Sequence, residues 1–165
     1  HIEHTEFTNL IPIFFKAAIE ANQAKVSTII RGLYLKGVQL ENIYDHLVFP
    51  VMRYIGDLWA AGKLTIPEEH LASEVVRKTI YDLGESLTLH LPNDAPSAIC
   101  FSINGDEHEL PLLMTKQILE SKGIKTYNLG RSLPTDSIAD MIDVLQPKYI
   151  FVSVNYIANE NIVKN

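Results

Sequence analysis

Apolar positions in the first half of the chain recur at helical intervals. In FTNLIPIFFKAAIEA, residues 7–21, Leu10, Ile13, Phe14, Ala17 and Ala18 fall on one face of a helix. A second pattern, AKVSTIIRGLYLKG, stops at Gly37. A third, LENIYDHLVFPVMRYIGDLWAAG, carries Pro50 inside it and stops at Gly62. The fourth starts where Thr65, Ile66, Pro67 and Glu68 spell a capping box with proline in the first turn, a place where a missing amide hydrogen costs nothing. Four amphipathic helices over residues 6–87, joined by short connections, predict an antiparallel bundle.

HLPNDAPS, residues 90–97, holds two prolines among turn-forming polar residues, and the period changes after it. AICFSIN reads as a short buried strand, ELPLLMTKQILESKG as a helix ended by Gly123, and IKTYNLG as a second strand. TDSIADMIDVL follows as a helix with Thr135 at its cap, and PKYIFVSVN as a third strand. Strands alternating with helices imply right-handed crossovers and a parallel sheet. The expected organisation is therefore α plus α/β, with a helical domain over residues 1–90 and a parallel-sheet domain over residues 97–165. Three parallel strands leave an edge open and faces half covered, so the second domain is expected to be incomplete and to continue past Asn165. The opening His1, in place of methionine, raises the same expectation upstream.

Composition narrows the class. With 165 residues, 47% hydrophobic and 21% charged, the chain has the make-up of an ordinary globular protein with a real core. A net charge of -6 without any run of Lys or Arg argues against this segment gripping a phosphate backbone. No stretch approaches the roughly 18 apolar residues of a membrane span and no basic-then-apolar leader opens the chain, so a cytoplasmic location is expected. The single cysteine, Cys100, excludes an internal disulfide; inside an apolar run it reads as a small core residue rather than a nucleophile.

Two stretches carry candidate chemistry. NGDEHELP, residues 104–111, sits where the first strand hands over to a helix, and ligands of open parallel sheets collect beyond the carboxyl ends of strands. Asp106 and His108 are spaced so that the carboxylate can accept a hydrogen bond from one imidazole nitrogen while the other points outward, the usual arrangement of a metal-ligating histidine. A plainer reading stands beside it: Asp106, Glu107 and Glu109 favour the positive end of the following helix, and His108 is a surface residue. A zinc site would need three or four ligands, and no Cys or His cluster lies nearby. The other stretch, LWAAGKLTIPEEH, places Trp59 about one turn before a hairpin and Glu69 with His70 about one turn after it, level with each other. Taken singly, Trp59 reads as a core aromatic and Glu69 as a first-turn acid. His46 and His90 read as surface or packing residues.

Asp106, Glu107, His108, Glu109, Leu110 and Pro111 together resemble the signature of cobalamin-binding domains, Asp-x-His-x-x-Gly after the first strand, with Pro111 where that family has glycine. NLGRSLPTDSI resembles the second strand and loop of such domains, and Ser153 in FVSVN falls where the family places a serine near the buried nucleotide tail. A helical bundle with Trp, nine residues and Glu-His ahead of such a domain resembles the cap of MerR-type, adenosylcobalamin-dependent, light-responsive transcriptional regulators. The resemblance implies a four-helix cap followed by a Rossmann-like, flavodoxin-like domain. It further implies His108 as the lower cobalt ligand, Asp106 as the carboxylate that tunes it, and Trp59, Glu69 and His70 against the upper, adenosyl face of the corrin.

What it implies functionally is a sensor and not an enzyme. Light breaks the cobalt–carbon bond, the cap shifts, and a homo-oligomer that holds DNA through a separate N-terminal domain changes state. Ala60 follows Trp59, where the light-responsive branch can carry a histidine that captures cobalt after photolysis. Two other classes stay open: a corrinoid carrier for methyl transfer, which uses the same fold and lower histidine, and a relative without cobalamin that serves as an interaction or haem-sensing domain.

Overall fold

Four helical stretches occupy the first part of the chain in this computed structural model, which describes residues 4–87 and 91–155. Contacts divide the chain into two units, His1–Leu87 and Thr88–Asn165. In the first, α1 spans His4–Ile19 and α2 Gln23–Leu35. The third stretch runs without a break through α3, Leu40–Ile43, a π-helical turn at Tyr44–Val48, and α4, Phe49–Ala60. The π turn has a cause in Pro50. Proline has no amide hydrogen and its ring crowds the carbonyl four residues back, and widening the preceding turn relieves both problems. Accordingly the Phe49 amide reaches back five residues to the Tyr44 carbonyl.

The fourth helix, α5, spans Ile66–Ser86 and opens with the expected reciprocal cap. Thr65 Oγ1 accepts from the Glu68 amide at 3.4 Å, and Glu68 Oε2 accepts from the Thr65 amide at 2.8 Å. Phe14, Ala17 and Ala18 of α1 are buried with Ile30, Leu47, Ile55 and Ile80 from the other stretches. Ile13 departs from the pattern. It lies at the edge of the apolar stripe and is 46% exposed, and Phe7 takes a buried place instead.

In the second unit, β1 (Ser97–Ile103), α6 (Leu110–Ser121), β2 (Lys125–Leu133), α7 (Ile138–Leu145) and β3 (Tyr149–Ser153) alternate. The sheet is parallel throughout, in the order β2-β1-β3, which confirms a Rossmann-like arrangement in the part of the chain that follows the helices. Successive side chains of β1 point to opposite faces. Ile99 and Phe101 pack with Ile138, Ile142 and Leu145 of α7, while Cys100 faces α6, its thiol 3.9 Å from the Leu112 carbonyl. β2 slips register against β1 twice, between Cys100 and Phe101 and between Phe101 and Ile103, taking up an extra residue each time. These bulges place Gly130 at φ +101° and Ser132 at φ +54°.

Two details differ from the sequence pattern. Residues Thr135–Ser137 form a 3-10 turn, so α7 begins only at Ile138, and the Thr135 side chain expected as its cap lies outside the described residues, as does His90. The apolar run of β3 is half-exposed, with Ile150 and Val152 at 47% and 49%. Among the described residues no helix is long and apolar enough to cross a membrane.

Candidate functional site

The order β2-β1-β3 reverses the direction of winding between β1 and β3, and the carboxyl ends of those strands frame the crevice where such sheets hold ligands. Asp106 stands there, one residue past a turn in which Gly105 takes φ +88° and the Asp106 amide donates to the Ile103 carbonyl at 3.0 Å. Its side chain is fully buried and its two oxygens serve different partners. Oδ1 accepts from His108 Nδ1 at 2.6 Å and from the His108 amide at 3.1 Å. Oδ2 accepts from the Asn155 amide at 2.7 Å and from Asn155 Nδ2 at 3.2 Å. Burial pushes this carboxyl up, but the hydrogen bonds from the Asn155 amide, the His108 ring and amide, and the Asn155 side chain outweigh it and hold it below the ordinary carboxylate range.

The loop itself is pinned from β1 and β2. Ser102 Oγ donates to the Asp106 carbonyl at 2.6 Å and accepts from the Ser132 amide at 2.9 Å, while Ser132 Oγ accepts from the Gly105 amide at 3.0 Å. The left-handed backbone at Ser132 turns its amide and hydroxyl toward this loop, which gives the bulged register a purpose. Arg131 Nη1 donates to the Glu107 carbonyl at 3.2 Å.

With Nδ1 donating to Asp106, the neutral imidazole keeps a lone pair on Nε2, and the His108 side chain is 60% exposed. Such a nitrogen has the orientation that a metal ligand needs. Among the described residues no three His, Cys, Asp or Glu side chains gather to hold a metal on their own. One ligand suffices where a macrocycle fills the other positions of the metal, so the donor set fits cobalt delivered in a corrin. Pro111 fits as well. It occupies the first turn of α6, where no intrahelical donor is required.

The structure puts Trp59 in the last turn of α4, 48% exposed and so not a core aromatic. Glu69, in the first turns of α5, accepts from Ser73 Oγ at 2.6 Å and lies 3.5 Å from His70 Nε2; the His70 side chain is 73% exposed. His46 packs against Phe7 at a ring separation of 5.5 Å. Cys100 is buried as a core residue, and burial, helped by Glu120 and opposed by Lys116, pushes its thiol up to about 11. Ser153 ends β3, where its Oγ accepts from Asn155 Nδ2 at 2.8 Å.

Sequence reasoning passed over Asn155, Ser102 and Ser132. A signal existed for Ser102, a polar residue within an apolar strand at its carboxyl end. Ser132 had none, because the bulges that place it leave no period.

Residues 13–82, all within the helical unit, match the B12 binding domain family. The chain is 28% identical over 110 residues to the HTH-type transcriptional repressor CarH of Myxococcus xanthus, an alignment covering 67% of this chain and 36% of that protein. It thus spans little more than a third of that relative's length. The monomethylamine corrinoid protein of Methanosarcina barkeri superposes over 88% of this chain and 68% of its own, with a TM-score of 0.62 at 17% identity, a likeness of fold. The helical unit is therefore similar to the B12 binding domain family, and the chain's fold is like that of a corrinoid protein.

Proposed function

We propose that this chain is the cobalamin-binding sensory module of a cytoplasmic transcriptional regulator, one that takes adenosylcobalamin and responds to light. The observation that carries the reading is His108, held through Nδ1 by a buried carboxylate at the carboxyl end of β1 with Nε2 left for a metal. The B12 binding domain match and the likeness to a transcriptional repressor support it. In this reading the chain works by binding and not by catalysis, and its partners are further copies of itself and DNA reached through a separate domain.

His108 would hold cobalt from below, Asp106 would fix the imidazole's orientation, and Ser153 would lie near the nucleotide tail. Trp59, Glu69 and His70 would meet the upper ligand, Trp59 with an exposed apolar face and the other two with polar groups. Adenosylcobalamin, when bound, supplies a cobalt–carbon bond that light can break. Asp106 stays ionised at neutral pH, so its charge favours the proton remaining on Nδ1.

The test is an absorbance titration with adenosylcobalamin in the dark, then green illumination, with His108→Ala alongside. The expected result is a retained corrin spectrum whose lower-ligand signature disappears in the variant, and a spectral and oligomeric change on illumination. Cofactor that washes away from the unaltered chain would sink the reading. Retention of a methylcorrinoid in preference to the adenosyl form would replace the sensor with a methyl-transfer carrier.

A further inference from the structure

Resting on that reading, we infer that Asn155 is a positioning residue for His108: acting through Asp106, it sets which imidazole nitrogen carries the proton. A carboxylate rotates about its last torsion over a broad range. Without Asn155, Asp106 would be held on this side by the His108 amide at Oδ1 alone, and the carboxylate could still swing and present the Nδ1 proton with a less definite acceptor. Asn155 removes that freedom from the far side. Its amide and its Nδ2 both donate to Oδ2, at 2.7 and 3.2 Å, which leaves Oδ1 aimed at His108 Nδ1 at 2.6 Å.

The side chain of Asn155 is itself oriented. An ionised carboxylate only accepts hydrogen bonds, so the carboxamide must turn its nitrogen toward Asp106, and the second Nδ2 hydrogen is taken by Ser153 Oγ at 2.8 Å. Asn155 lies just past β3 and Asp106 just past β1, so the bond ties together the two strand ends that frame the crevice. Any residue at position 155 other than proline supplies the backbone donor. Only one with an N–H at this reach supplies the other.

The imidazole tautomer can be read without cofactor, by nitrogen-15 NMR of the histidine rings in the 165-residue chain. The unaltered chain should show His108 predominantly protonated on Nδ1, against the preference of an unrestrained imidazole for Nε2. Asn155→Ala should move the population toward Nε2. Asn155→Asp, nearly the same shape, replaces the donor with an acceptor beside an acceptor-only carboxylate and should move it further. A space-filling role predicts the reverse order, since aspartate fills the site and alanine does not.

Hydrogen exchange of the β1 amides confirms that each variant keeps its fold. Cobalamin affinity should fall roughly tenfold in Asn155→Ala, the usual scale for a group that orients a metal ligand. An unchanged tautomer in both variants, or an Asp variant that behaves like the unaltered chain, overturns the inference even if cobalamin binds through His108. A tautomer shift in a chain that never retains cobalamin upholds the positioning role and overturns the proposed function instead.

Discussion

The bond between Asp106 and His108 spans two residues, a spacing that allows it in the sequence, where a surface role for His108 stood beside it and the resemblance tipped the choice. Asn155 is 49 residues away along the chain, and no local spacing announces it. Removing the carboxylate tests the whole arrangement. Asp106→Ala removes the shared acceptor of the Asn155 and His108 amides, two part-buried hydrogen bonds, which should cost about 1 kcal/mol in urea unfolding. If His108 ligates cobalt, the same variant should bind cobalamin about 10–100-fold more weakly, measured by absorbance titration. Cys100 makes the opposite point, since an apolar run predicted its burial and the structure agrees. With its thiol pushed up to about 11, it should resist a disulfide reagent at neutral pH and react on unfolding. Rapid labelling of the folded chain would contradict the packing of β1 against α6.

Elements were legible where a periodic pattern met a stop signal. The boundaries of α2 and α5 follow from Gly37 and from the Thr65 cap, and the strand-helix alternation yielded a parallel sheet. What the pattern concealed was departure from regular geometry. A helical period runs unchanged through the π turn at Tyr44–Val48, and period-two reading carries no mark of the bulges in β2. The cap at Thr65 offers a prediction with a pH signature. Thr65→Ala should destabilise the helical unit by about 1 kcal/mol near neutral pH, measured by thermal or urea unfolding. Part of that loss runs through Glu68, whose carboxyl is held below its ordinary value by the Thr65 side chain and then the Thr65 amide. A group lowered on folding stabilises fully above its unfolded value and loses that effect as pH falls through the folded one. The gap between variant and parent should therefore narrow in acid and stay constant from neutral to mildly alkaline pH.

At the scale of the whole molecule, two units each bury a core of their own, and the proposed function assigns residues in each: His108, oriented by Asp106, in one, and Trp59, Glu69 and His70 in the other. A ligand that binds only folded protein stabilises what it touches, by about 2.7 kcal/mol at a hundred times its dissociation constant. Each unit has a private reporter. Trp59 is the chain's single tryptophan, so its fluorescence follows unfolding of the helical unit, while hydrogen exchange at the β1 amides follows the other. Saturating adenosylcobalamin in the dark should raise both transitions, and His108→Ala should abolish both increases. If β1 gains protection while the Trp59 transition stays where it was, His108 holds the cofactor and the helical residues do not. Such an outcome would separate the lower-ligand chemistry, which rests on hydrogen bonds within one unit, from the adenosyl-cap assignment, which rests on the spacing of Trp59, Glu69 and His70.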